Sequence, residues 1–349
     1  MNRQAQTVLR TFTTALFLAF FSCANNGISL MSYNVENLFD DVYDGTEYRE
    51  FDPRGGKWTT EMFRTRIDTI AEVIRRAVPG GPDIVALQEL ENENVLKTLE
   101  DRGLRGLGYT RTVLVPNRGA ATNVGILTRL PVSRVHSSWV TARTSSAARD
   151  ILEIEILYRD RLLHVFNNHW KSKTEGARET EGSRLNAART VAGRVQKILE
   201  QDPAADIIVA GDLNEAMDEY ARVSGMYRTA LMPIEAGISD EDGMLLTSHP
   251  PQTGMTGGRP VFYDPWDETP EEARGSFFYR GAWEPVDHIL MTGGLFDSLG
   301  FSYRGGSFRV YREPFLLLPS GAPMKWEGTK GRRGYSDHLP LLLTLEINE

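Results

Sequence analysis

Between Gly334 and Ile347 the chain reads GYSDHLPLLLTLEI, so Ser336, Asp337 and His338 stand side by side in front of an apolar run. A hydrolase triad, a metal site and a polar turn all use such residues. Successive residues of an extended chain point to opposite sides, so these three cannot line up among themselves as nucleophile, base and orienter. Partners must come from elsewhere, and the sequence offers them at the ends of other apolar runs. Asn34 follows LMSY, Glu89 follows IVALQ, His169 follows VFNN, Asp212 and Asn214 follow IIVAG, and Asp287-His288 precede ILM. Singly, each has an ordinary reading as a turn residue, a helix N-cap, an Asx-turn or a half-buried strand histidine. Together they are expected to converge at one sheet edge.

The chemistry of that set is specific. Carboxylates and amides without cysteine are hard oxygen donors, which suit Mg²⁺, Mn²⁺ or Ca²⁺ better than zinc. Histidines beside them supply an acid or base near neutral pH. Metal-assisted attack of water on a phosphoester needs this inventory: a cation to neutralise phosphoryl charge, a carboxylate to prepare the water, and cationic groups to meet the developing charge.

The elements that would hold these residues can be read from periodicity. ISLMSYNV, DIVALQEL and DIIVA (Asp206 to Ala210) read as buried strands, and YTRTVLV, TNVGILT, VSRVHSSWV, DILEIEILY and RLLHVFNNHW as further strands. Glu153 and Glu155 alternate with Ile154 and Ile156, which predicts one wet face. Helices are expected over Thr59 to Val78, over ENVLKTLEDRG, and over Ser183 to Glu200. Gly, Pro and Asp between Asp218 and Glu272 predict long loops, and GSFFYR, VDHILM, EPFLLL and LPLLLTLEI the last strands. Two mainly antiparallel packed sheets flanked by helices, a four-layer α/β/β/α sandwich in a single domain over residues 28–349, suit this order.

The chain has 349 residues, 41% hydrophobic and 25% charged, which is ordinary globular usage and enough for a substantial core. Arg3 and Arg10 precede an apolar run from Thr11 to Phe21 that is shorter than the ~20 residues of a spanning helix. This predicts an export signal over residues 1–23. The one cysteine, Cys23, ends that run and resembles a loose lipobox, so a lipid anchor to a membrane is expected, with residues 24–27 as a linker; an ordinary secretory signal is the alternative. The protein would then be periplasmic, an outer-membrane lipoprotein, or extracellular. A single cysteine permits no intrachain disulfide. Loss of residues 1–22, with Arg3 and Arg10 and no acids, takes the net charge from −8 to −10. So acidic a chain is no generic nucleic-acid coat, and a phosphate substrate would rely on a local basic patch or a bound metal.

The segments SYNVENLFD, DIVALQELEN, VFNNHWKSK, VAGDLNE, WEPVDHIL and YSDHLPL, in this order, resemble the endonuclease/exonuclease/phosphatase (deoxyribonuclease I-like) superfamily over Ile28 to Glu349, closest to a bacterial exported branch. The resemblance implies that Asn34, Glu89 and Asp337 hold a divalent cation, Mg²⁺ or Mn²⁺, and that Asp212 orients or deprotonates the attacking water. It implies that Asn214 hydrogen-bonds the phosphoryl oxygens, that His338 contacts the phosphate with Asp287 fixing its imidazole, and that His169 is a general acid. The tyrosine that some members place near the phosphate has no clear counterpart, Tyr109 being a loose candidate.

An exported nuclease is the expected activity. The alternatives are a phospholipid head-group (sphingomyelinase-like) or small phosphomonoester hydrolase and, less favoured, a surface binding protein without turnover. Lys171 and Arg184, with Lys173, Arg178, Arg332 and Arg333, are candidates for a phosphate-binding rim, although solvated surface charge is the plainer reading of each. Trp170, Trp266 and Trp283 offer stacking surfaces or core. In DDVYDGTEY, Asp40 to Tyr48, oxygen donors at alternating spacing hint at structural Ca²⁺, but the full twelve-residue ligand pattern is missing, so a plain surface loop is expected. No protein partner is implied.

Overall fold

Alternation along the first strand decides the architecture. In β1 (Gly27–Leu38), Ile28 and Leu30 enter one apolar core while Met31, Tyr33 and Val35 enter another, so both faces are covered. The computed structural model describes residues 27–117, 119–140, 150–328 and 334–348. The expected leader with Cys23, and Arg332 and Arg333, lie outside them.

β1 pairs in parallel with β2 (Ile84–Leu90). Their sheet continues through β3 (Arg111–Val115) and β4 (Asn123–Thr128) on one side and β16 (Phe301–Tyr303), β17 (Arg309–Val310) and β18 (Leu341–Ile347) on the other. Its order is β16-β18-β1-β2-β4-β3, with β17 on β18. The second sheet contains β5 (Val132–Ser138), β6 (Ile151–Tyr158), β7 (Arg161–His169), β8 (Asp206–Asp212), β9 (Leu231–Pro233), β10 (Met244–Thr247), β11 (Met255–Thr256), β12 (Arg259–Tyr263) and β15 (Asp287–Met291). Its order is β5-β6-β7-β8-β15-β12-β10-β9, with β11 on β12, and β7-β8 is its central parallel pair. β13 (Phe277–Tyr279) and β14 (Ala282–Glu284) pair only with each other as strands.

Three cores give four layers. Helix α1 (Thr60–Ala77) is capped by the Thr59 side chain and lays Ile67, Ile70, Val73 and Ile74 on the first sheet; α2 (Glu93–Thr98) starts from Asn92 and joins the same core. Leu30, Ile84, Ile154, Val165, Ile208 and Ile289 fill the space between the sheets. Helix α3 (Ala177–Gln201) covers the outer face of the second sheet with Ala188, Val191, Val195 and Ile198. The sandwich is the one expected, with both sheets mixed.

Four local expectations need correction. Glu153 and Glu155 are buried: Arg194 of α3 lies over them and bonds Glu153 at 2.6 and 2.9 Å, and His164 and His136 also reach them. The alternation therefore marks an ion-paired face. Residues 218–272 build β9 to β12 and the short helix α4 (Glu219–Arg222), because buried neighbours can hold two-to-five-residue strands despite turn-rich sequence. EPFLLL forms a single turn at Pro314–Leu316, where Pro314 starts a helical turn more readily than a strand. The third helix begins at Ala177, six residues before Ser183.

Candidate active site

Parity carries the polar residues to the seam between the sheets. Asn34 continues the inward series of Ile28 and Leu30, Asp212 that of Ile208 and Ala210, His169 that of Leu163 and Val165, and Asp287 that of Ile289 and Met291. Because β1-β2 and β7-β8 are parallel pairs, each joined across a helix, the carboxyl ends of these strands lie at one edge, where sites of α/β sheets form. β15 runs against β8 and sets Asp287 opposite Asp212, while His169 stands opposite Asp212 on the other side.

Glu89 has the wrong parity: alternation alone would send it outward with Leu87. The register of β2 shifts around it, and its φ of 67° turns the side chain back. A left-handed backbone at a glutamate costs about 1–3 kcal/mol and persists where the surroundings enforce it. Here Asn34 Nδ2 donates to Glu89 Oε1 at 3.1 Å and the Asn37 N–H to Oε2 at 2.8 Å. Asn34 Nδ2 also donates to Asp212 Oδ2 at 3.0 Å, and its Oδ1 accepts the Glu36 N–H. The asparagine thus bridges two carboxylates through its amine side rather than offering them an oxygen, because negative oxygens favour an N–H neighbour.

His169 Nε2 lies 3.6 Å from Glu89 Oε1 and 3.5 Å from Asp212 Oδ2. His338 Nδ1 bonds Asp287 Oδ2 at 2.8 Å, and its Nε2 is 3.9 Å from Asp212 Oδ2 and 4.0 Å from Asp337 Oδ1. Ser276 Oγ donates to Asp287 Oδ2 at 2.5 Å, and Phe277 stacks on the His338 ring at 4.5 Å. Ser336 donates to the Asn34 carbonyl and accepts the His338 N–H, tying this loop to β1. Asn214, at φ 52°, gives its backbone N–H to Asp212 Oδ1 and its Nδ2 to the Trp170 carbonyl.

Burial, then Asp287 and Glu89, push the Asp212 carboxyl up to about 7 against the opposing charge of His338. Burial disfavours charge on His338, yet Asp287, Asp212 and Asp337 around it raise its pKa well above the usual histidine range. Burial and then Asp337 push Glu36 up to about 8. Beneath them Arg66 is fully buried in α1 and donates to the carbonyls of Val35, Glu36 and Tyr335. Carboxylates outweigh cations around this cleft, and the donors are hard oxygens. One ligand atom from each of Glu89, His169 and Asp212 lies within 4.8 Å of the other two, and this set fits a divalent cation such as Mg²⁺ or Mn²⁺; among the described residues no such group includes Asp337.

Several expected rim residues are engaged by partners within the protein. Arg184 is fully buried, paired with Glu181 at 2.6 Å and Glu215 at 3.0 Å, so it cannot meet a substrate phosphate; a guanidinium in mid-helix with acids on both sides serves α3 itself. Lys171 stands two residues past His169 but pairs with Glu175 at 2.8 Å, Lys173 pairs with Glu219, and Arg178 lies over the Tyr227 ring. Tyr109 bonds the Pro82 carbonyl, at the start of β2 and thus the opposite end from Glu89. Trp170 and Trp266 are core. Glu36, Arg66, Ser276 and Phe277 escaped the sequence reading. For Glu36 the signal was its place two residues after Asn34; a helical arginine such as Arg66 carries none.

A model of the Endonuclease/Exonuclease/phosphatase family matches residues 29–227. No curated protein sequence matches the chain. Truncated TDP2 of Caenorhabditis elegans is similar in structure at 17% identity and a TM-score of 0.52, over 92% of this chain and 97% of that one. D. rerio TDP2 complexed with single strand DNA product gives 15% and 0.55, over 92% and 99%. An endonuclease/exonuclease/phosphatase family protein from Bacteroides thetaiotaomicron gives 16% and 0.53, over 92% and 95%. At these identities the likeness concerns the fold.

Proposed function

The chain belongs to the endonuclease/exonuclease/phosphatase family, whose members are metal-dependent phosphoric ester hydrolases, and from that premise we propose that it is a nuclease working outside the cytoplasm. The observation that carries the chemistry is the grouping of Glu89, His169, Asp212 and His338 around one seam, with Asp287 behind His338. A bound Mg²⁺ or Mn²⁺ would neutralise charge on the phosphoryl group. Asp212, poised near neutral pH, takes a proton from water or orients it. His338, kept charged by Asp287, meets a phosphate oxygen. Asn214 holds Asp212 from its backbone and hydrogen-bonds the phosphoryl group with its side chain. His169, facing the same carboxylates, gives a proton to the leaving oxygen.

The cleft beside Asp337 bears on substrate preference. A cavity of about 610 Å³ is lined by Phe277, Phe278, Tyr279, Leu318, Met324 and Asp337. Flat aromatic faces next to a phosphate-handling site suit the stacking of bases in a single strand. The same apolar lining is what favours a phospholipid as the second reading. Purified protein incubated with DNA, RNA and sphingomyelin, each with Mg²⁺, Mn²⁺ or Ca²⁺, separates them. Cleaved nucleic acid is the expected result; phosphocholine release without any nuclease activity would replace it with the lipid reading.

The apolar run from Thr11 to Phe21 behind Arg3 and Arg10, ending at Cys23, is what supports the reading of export and action at a membrane surface. Fractionation of cells expressing the full chain and Cys23→Ser tests this: the parent should sediment with membranes and the variant should not.

A further inference from the structure

The loop after β1 leaves a buried carboxylate oxygen without a partner. At its foot Asp40 is fully engaged: Oδ1 accepts the Val42 N–H at 2.7 Å, and Oδ2 accepts Asn92 and Asn94 Nδ2 at 3.1 and 2.8 Å. The Asp40 carbonyl accepts Trp58 Nε1, and its own N–H donates to Glu91 Oε2 at 2.7 Å. The other oxygen, Glu91 Oε1, has no hydrogen-bond partner, although the residue is only 3% exposed. One carboxylate oxygen from each of Asp44, Glu47 and Glu91 lies within 4.8 Å of the other two. Among the described residues, no Lys, Arg or His forms an ion pair with any of the three.

The loop is folded to keep that arrangement. The N–H groups of Asp44 and Gly45 donate to the Glu47 carboxylate at 2.5 and 2.8 Å, and Thr46 donates to Asp44 Oδ1 through N at 2.9 Å and Oγ1 at 2.6 Å. These bonds fix the acids side by side, and carboxylate oxygens keep lone pairs beyond them. Three like charges gathered around an unpaired buried oxygen are costly without a counter-charge. We propose that Asp44, Glu47 and Glu91 form a Ca²⁺ site, separate from the group of Glu89, His169 and Asp212, which clamps the loop against the start of α2.

The ion follows from the donors. They are hard oxygens without His or Cys, which disfavours zinc. The set is irregular and partly open to water, which suits the six to eight ligands of Ca²⁺; Mg²⁺ demands near-octahedral order. The plain surface loop expected from sequence is thereby revised, because Glu91, more than forty residues on, supplies the ligand that the local pattern lacked.

Calorimetric titration of Ca²⁺ into EDTA-treated full chain carrying Glu89→Gln, which weakens the cleft's own cation site, tests the proposal. One Ca²⁺ per chain should bind and raise Tm, and Mg²⁺ should bind at least tenfold more weakly. Adding Asp44→Asn and Glu47→Gln, both outside the core, should weaken Ca²⁺ at least tenfold. Tb³⁺ emission sensitised by Trp58 should vanish in the same variant while its far-UV circular dichroism stays unchanged, which separates loss of the site from misfolding. Absence of Ca²⁺ binding, equal binding of Mg²⁺, or undiminished binding by the triple variant would each overturn it.

Discussion

His338 is held on three sides: Asp287 at Nδ1, the Phe277 ring on its face, and Ser336 at its backbone N–H. Replacing it by Ala should lower kcat by about 10²–10⁴-fold, the usual worth of such a group. Asp287→Asn should also move the alkaline limb of the pH–rate profile to lower pH, because the strongest neighbour that keeps the imidazole charged is gone. A limb that stays in place would show that Asp287 only packs there. Asp212 makes a second pH prediction. Its folded carboxyl keeps a proton up to about 7, whereas an unfolded aspartate has lost it near pH ~4. The folded chain then binds more protons across that window, so stability of metal-free protein falls as pH rises through it. Charged His338 acts in the same sense: its contribution is complete below the ordinary value of ~6.5 and is lost as pH rises through its higher folded value. Thermal melts in EDTA should show Tm declining from about pH 5 to about pH 8, and Asp212→Asn, which cannot ionise, should flatten the lower part. A Tm rising with pH in the parent would contradict the assignment.

At the scale of elements, parity explains what was legible. Asn34, His169, Asp212 and Asp287 could be read because each ends or begins an apolar alternation whose other members fill the space between the sheets. Glu89 was found as a residue type at a strand end, but the bulge that turns it inward has no signature in DIVALQEL. Arg184 misled because an arginine on a helix reads as surface; Glu181 stands one turn before it on α3, but Glu215 meets it only in the fold. Gly211 has a local reason to be glycine. At φ 136° a Cβ there would run into the Asn168 backbone, so Gly211→Ala should destabilise by about 1–3 kcal/mol in urea titrations and misplace Asp212. Below the site, Gln88 Nε2 donates to Asn167 Oδ1 at 2.7 Å, and Asn167 Nδ2 to the Leu87 and Gly125 carbonyls at 2.9 Å, pinning sheet to sheet. Asn167→Leu removes these three bonds, leaving Gln88 Nε2 only the longer ones to the Ala86 carbonyl at 3.3 Å and Ser32 Oγ at 3.4 Å, and should cost about 1–3 kcal/mol for each group left without a partner, again read from urea midpoints.

Across the whole molecule, chemistry and grip lie on different parts. The groups proposed to act on phosphate stand on or beside strands that pass through the centre of both sheets, whereas much of the aromatic wall stands on β13-β14, a hairpin whose main-chain tie to the sheets' site is one bridge from Phe277 to His338. Phe278 and Tyr279 stand outside the cores of the layers, although Trp283 of the same hairpin packs against the first of them. Exchanging residues 278–282 between relatives, which leaves Ser276 on Asp287 and Phe277 on the His338 ring, should therefore change what the proposed site takes while its proton-handling groups stay in place.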